Sequence, residues 1–190
     1  MKNNHRFSRA RSAARTSITP TLTKRVLFYG ALILILCTAQ CSFFSYLKPF
    51  GATPDLLLGM LVAIMLLDSA SSACVCAVIS GYVIDSIGAI PPSFSPLYYL
   101  ALVAVLSMRS AKMLPRFISY CVMLPAALVG RAIFTFINLC ISYASVPSVK
   151  AIVSVILPEA ISTFVFCLPI YLAVRLGANM IGARRKFEFN

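Results

Sequence analysis

Long, unbroken apolar runs are the feature that most constrains this chain. They cover 26–47, 56–67, 73–89, 96–108, 117–143 and 151–174. Within a bilayer no water satisfies the backbone, so a spanning segment is either a helix or part of a closed barrel. The runs are continuous rather than alternating, which excludes barrel strands of ~10 residues and leaves helices. A water-soluble domain could not hide this much apolar surface: 60% of residues are hydrophobic and 12% charged, against about 45–50% and about 25% in soluble proteins. The expected fold class is therefore all-α, a polytopic integral membrane protein with about six transmembrane helices. The second and fourth runs fall short of the ~20 residues that a full span prefers. They read as tilted, sheltered or partly re-entrant segments, with five spans as the alternative count.

The placement of charge orients this plan. Residues 1–25 carry Lys2, Arg6, Arg9, Arg11, Arg15, Lys24 and Arg25 with no acid. Arg109, Lys112 and Arg116 lie between the fourth and fifth runs, and Arg175, Arg184, Arg185 and Lys186 close the chain. In a six-span path that starts inside, these are all inner segments, and the outer loops hold only Lys48 and Lys150. Such a bias is the positive-inside pattern, and it places both termini in the cytoplasm. Tyrosines near the run ends fit interfacial belts. The domain reading is a basic tail over 1–25 with a disorder-type composition, a bundle over 26–175 and a second basic tail over 176–190. The net charge of +12 is thus assigned to topology and the lipid bilayer, with no nucleic acid partner expected.

Seven cysteines lie in the apolar runs and none forms a Cys-x-x-Cys pair. They read as small buried residues, without a disulfide framework or a metal site. The single histidine, His5, is in the tail. There is no Gly-rich phosphate loop, Gly-x-Ser-x-Gly or His-Glu-x-x-His. No catalytic residue, metal or cofactor is expected.

Charges within a span are costly and generally face protein or water. Asp85, Arg131 and Glu159 qualify. With a rise of ~1.5 Å per residue they lie about 18 Å, about 21 Å and about 13 Å along their helices, the last in the opposite sense. The three share a depth, and Arg131 is expected to pair with Asp85 or Glu159. A structural ion pair is the plainer reading, and a polar pocket or proton path the functional one. Pro158, beside Glu159, and Pro125 and Pro169 are possible kinks. In the third run Ala73, Ala77, Gly81, Asp85 and Gly88 share a helical face. Small residues there allow close helix approach, within the bundle or against a partner. Thr53-Pro54-Asp55 reads as a helix start at the outer surface, with Thr53 as cap and Asp55 complementing the dipole. Asp68 reads as the end of the second helix, in an inner loop without basic residues.

Pro54-Asp55-Leu56-Leu57-Leu58, followed by Ile79-Ser80-Gly81-Tyr82-Val83-Ile84-Asp85 and Gly88, resembles the rod-shape-determining protein MreD family. That family shows a Pro-Asp-Leu-Leu opening and a Gly-Phe-x-x-Gly-x-x-x-Asp-like stretch, and Gly81 and Asp85 match the end of the latter. Cys74, Ala77 and Ser80 stand among its glycine-rich positions, and the basic tail here is long. The resemblance covers about a quarter of the chain by motif. It implies a non-enzymatic scaffold of the cell-elongation machinery in the bacterial cytoplasmic membrane. Its implied partners are MreC, with MreB, RodA and a class B penicillin-binding protein, in lateral peptidoglycan synthesis. The six-helix plan is also similar to the substrate-binding S components of energy-coupling-factor vitamin transporters, which would place a ligand pocket near the outer face. An enzyme of lipid or wall precursors has only the Asp85 and Glu159 carboxylates in its favour.

Overall fold

The computed structural model describes residues 23–87, 94–110, 116–143 and 149–180. Among them the regular structure is helical throughout: α1 (Thr23–Leu47), α2 (Leu56–Leu67), α3 (Ala70–Ile87), α4 (Ser95–Ser110), α5 (Arg116–Tyr143) and α6 (Val149–Met180). A 3-10 turn, Pro49–Gly51, joins α1 to the approach of α2. This turn reverses the chain through left-handed backbone at Lys48 (φ 37°) and Gly51 (φ 89°). The bundle extends past its expected ends, because the first turn of α1 begins at Thr23 and α6 continues to Met180. Pro125, Pro158 and Pro169 lie inside continuous helices rather than ending them.

Four helical segments are long and apolar enough to cross a membrane: Thr23–Leu47, Ala70–Ile87, Phe117–Asn138 and Ile156–Met180. Only 17–28% of their most apolar windows is buried. Val26, Leu27, Leu34, Ile35, Leu172 and Leu176 are among the large side chains left exposed. Such surface suits lipid, and the chain is a membrane-type all-helical protein.

Helix α2 is the opposite case. Eleven of its twelve residues are buried. An apolar helix with no polar stripe belongs in the middle of a bundle. It packs against α3, α4, α5 and α6. Its length is about 18 Å at ~1.5 Å per residue, well short of a ~30 Å hydrocarbon core. The second run is therefore sheltered by protein.

Contacts along the chain show the helices alternating in direction. Near one end of the bundle Arg25 and Tyr29 of α1 meet Asp68, and Phe28 packs on Gly177 of α6. Near the other, Gln40 of α1 meets Leu56, Gly81 of α3 meets the start of α4, and Ser162 of α6 meets Pro49. The first turn of α1 and the last turns of α6 thus share one end.

Tyr120 of α5 ties α2 and α6 together in mid-bundle. The Tyr120 hydroxyl donates to the Cys167 carbonyl at 2.9 Å and lies 3.4 Å from the Gly59 carbonyl. Its ring also packs against Tyr171, with centroids 4.6 Å apart. The absence of a side chain at Gly59 admits Cys167, whose Cβ stands 2.6 Å from where a Cβ would be.

Candidate functional site at the ends of the central helix

Each end of α2 carries a buried aspartate. At the N-terminal end Asp55, rather than Thr53, is the cap: its Oδ1 accepts the Leu58 N–H at 3.2 Å. Two more donors of this helix start are also satisfied by side chains. Asp55 N–H donates to Thr163 Oγ1 at 2.9 Å, and Leu56 N–H to Gln40 Oε1 at 3.1 Å. Gln40 belongs to a π-helical stretch of α1, Ala39–Phe44. A helix start buried away from water requires this provision, since an unpaired backbone donor there is heavily penalised.

The Asp55 carboxylate then gathers three more helices. The Tyr99 hydroxyl from α4 lies 2.9 and 2.8 Å from its two oxygens. Arg131 Nε from α5 lies 3.4 Å from Asp55 Oδ2 and 3.0 Å from Glu159 Oε1 of α6. The guanidinium also lies over the Tyr98 ring, 5.7 Å from its centroid, and that ring stacks on Phe134 at 4.5 Å. Asp55 is 1% exposed, Glu159 16% and Arg131 23%. Ion pairs this deep are weak net stabilisers, but removing one partner is severe because a bare charge is left behind.

At the C-terminal end Asp68 is 2% exposed and pairs with Arg25 Nη1 at 3.1 Å. The Tyr29 hydroxyl donates to its other oxygen at 3.2 Å. A carboxylate opposes the negative end of a helix dipole, so Arg25 and Tyr29 compensate for the placement. Asp68 was expected to lie in a loop without basic residues. The basic partner comes from α1, from a residue assigned to the tail.

The residues expected from sequence are distributed as follows. Arg131 and Glu159 are in contact. The second carboxylate on Arg131 is Asp55, whereas Asp85 is half-buried on α3 outside this cluster. Depth along a helix is a single coordinate, and it does not set which face of the helix a charge occupies. Asp55, expected at the outer surface, is buried in the bundle. Pro54 is buried beside it. Ala73, Ala77 and Gly81 are buried inside the bundle, so that small-residue face is helix packing rather than an open surface. Gly88 lies outside the described residues. Thr163 and Gln40 were not singled out, and Tyr98 and Tyr99 were read only as interfacial tyrosines. The available signal was an apolar run too short to span, bounded by an acid at each end, which draws both acids inward and demands partners.

Chemically, the larger cluster is a clamp with one guanidinium shared by two carboxylates. Beside it, between α5 and α6, is a crevice of about 10 Å³ lined by Leu128, Arg131, Ala132, Ile156, Glu159 and Ala160. That is roughly the space of one water. Comparison of the chain with protein-family models, curated proteins and solved structures gives no match.

Proposed function

We propose that this protein is a non-enzymatic membrane scaffold of the cell-elongation machinery, of the kind the MreD resemblance implies. In this reading it holds MreC in the bacterial cytoplasmic membrane, in one complex with MreB, RodA and a class B penicillin-binding protein. The supporting observation is the work done by the motif residues. Asp55 ties α2 to α4, α5 and α6, and Gly81 lets α3 close on the start of α4. Both shape the bundle. The crevice at the charges, about 10 Å³, is roughly the space of one water and is not itself a vitamin site.

Depletion of the protein is expected to round the cells and disperse lateral wall synthesis while vitamin uptake is unchanged. Mild solubilisation should recover MreC with it. The reading fails if depleted cells keep their shape and the purified protein binds a vitamin tightly. Recovery with an ATPase pair and a transmembrane coupling subunit would also overturn it.

The same reading assigns six spans, with α2 as a short, protein-sheltered crossing, α4 as a short crossing with one exposed face, and both termini in the cytoplasm. It is supported by the alternating helix directions and by the inner clustering of basic residues. In intact cells a cysteine placed at Ser93 should react with an impermeant thiol reagent, and one at Lys186 should not. The reverse pattern means an inverted topology.

A further inference from the structure

We infer that the side of the bundle formed by α3 and α4 holds the surrounding bilayer thin, its partner being lipid drawn to a hydrocarbon depth of about 20 Å. A scaffold neither requires nor supplies this, and only the crossing of α4 assigned above is presupposed. The height of exposed apolar surface differs from helix to helix. On α1 it runs from Val26 to Leu47, about 32 Å, and on α5 from Phe117 to Ile141, about 36 Å. On α6 it covers about 29 Å from Leu157 to Leu176, with the exposed Arg175 close enough to the end to snorkel. These heights suit a hydrocarbon core of ~30 Å, with modest tilt for the longest.

The α3–α4 side is much shorter. On α3 the exposed apolar residues run from Val75 to Ile87, about 18 Å, and on α4 from Phe94 to Met108, about 21 Å. Polar or helix-breaking residues close these stretches. Ser71 and Ser86 are exposed on α3, and in the sequence α4 lies between Pro91-Pro92-Ser93 and Arg109. The two helices pack on each other, so their short belts form one face. A long helix fits a bilayer by tilting. Tilt only lowers the reach of a short one, which is accommodated by thinning the lipid around it.

Asp85 is an independent mark of depth. Gly81 lies level with the start of α4, because a Cβ there would stand 2.5 Å from Pro96 N. Asp85 is one turn further along α3, about 6 Å beyond that level. It is about 22 Å from the first residue of the helix, so a bilayer of ordinary thickness would hold this carboxylate in hydrocarbon at heavy cost. With lipid drawn down to the start of α4 it stands among headgroups, and the exposed Tyr82 takes an interfacial position typical of tyrosine. At the opposite end Arg109 and Lys112 follow Met108 in the sequence, so headgroup phosphates drawn to that level meet basic residues. Protein is the poorer occupant. Among the described residues, the exposed positions of α4 from Phe94 to Met108 are all apolar, and lipid solvates such surface as well as another helix does.

The chain contains no tryptophan, so a single indole reports on one face. Leu97→Trp on α4 and Ile133→Trp on α5 each replace an exposed residue, with Val105→Trp and Ile137→Trp as second positions should either fail to fold. The full-length variants are placed in vesicles of brominated dioleoyl phosphatidylcholine, which quenches the indole. Unbrominated phosphatidylcholines with myristoleoyl to erucoyl chains then compete for the same contact. At Leu97→Trp the myristoleoyl lipid should displace the quencher at least about twofold better than the erucoyl lipid, and at Ile133→Trp the order should reverse. The thinned rim is overturned if both faces share one order of preference. It is also overturned if brominated lipid leaves Leu97→Trp unquenched, since protein would then cover the face. In intact cells Ser93→Cys should react with an impermeant thiol reagent and Lys112→Cys should not, as a crossing α4 requires. Labelling of both removes the crossing and the thinned rim with it, and leaves the MreC partnership to its own test.

Discussion

Methionine in place of Arg131 is expected to reduce folded protein to a small fraction of the wild-type yield. The substitution keeps the apolar stem of the side chain but leaves Asp55 and Glu159 facing each other in the interior. Breaking a buried pair from one side costs about 3–5 kcal/mol, a large part of the 5–15 kcal/mol that typically holds a domain folded. Arg131→Met with Glu159→Gln should regain much of the yield, because the remaining acid, Asp55, still has Tyr99 and the helix cap. Glu159→Gln alone should be the mildest of the three, since Arg131 keeps Asp55. Monodisperse recovery in mild detergent, together with thermal melting, measures the series. A loss in the double variant equal to the sum of the two single losses would show that the two side chains are not coupled.

These expectations divide by what a sequence can reveal. The helices were legible because a bilayer leaves an apolar run few alternatives. The bounds of α2, read as 56–67, are those observed. Arg131 and Glu159 were legible for a related reason, as charges in the middle of apolar runs require partners. The burial of Asp55 and Asp68 was not legible, because the residues that cover them, Tyr99, Arg131, Arg25 and Tyr29, lie far away in sequence. Asp85 was grouped with Arg131 on depth and opposite sign. The missing information was the angle around the helix axis, which tertiary packing decides. Tyr98 and Tyr99 look like belt residues by position, and only the fold directs the Tyr99 hydroxyl onto a carboxylate. The face of Ala73, Ala77 and Gly81 was visible as a pattern, but nothing local tells whether the neighbour is α4 or another protein.

Gly81 provides the second large effect, and it tests that last point. A Cβ at Gly81 would stand 2.5 Å from Pro96 N and 2.9 Å from the Ser95 carbonyl carbon, and it would also meet Pro96 Cα. All three are main-chain atoms. At Gly177 the obstruction is the Phe28 ring, and at Gly59 chiefly the Cys167 side chain, both of which have rotamers to use. At Gly81 relief requires that α3 and the start of α4 separate. Alanine gains about 1 kcal/mol of helix propensity over glycine, but overpacking costs about 1–3 kcal/mol and occasionally more, so the net effect of Gly81→Ala is destabilising. Gly81→Leu should not accumulate at all. The displaced segment is the one that carries Tyr98 and Tyr99, so the Tyr99 bond to Asp55 is strained by the same movement. Truncating a side chain cannot rescue Gly81→Ala, because Pro96→Ala leaves the obstructing N and Cα in place. By contrast, Gly59→Ala should be rescued in part by Cys167→Gly. Membrane levels and melting of the five variants decide the matter. Were Gly81→Leu to accumulate and melt like wild type while losing MreC, the Gly81 face would be a partner surface and its burial against α4 would not describe the protein in the membrane.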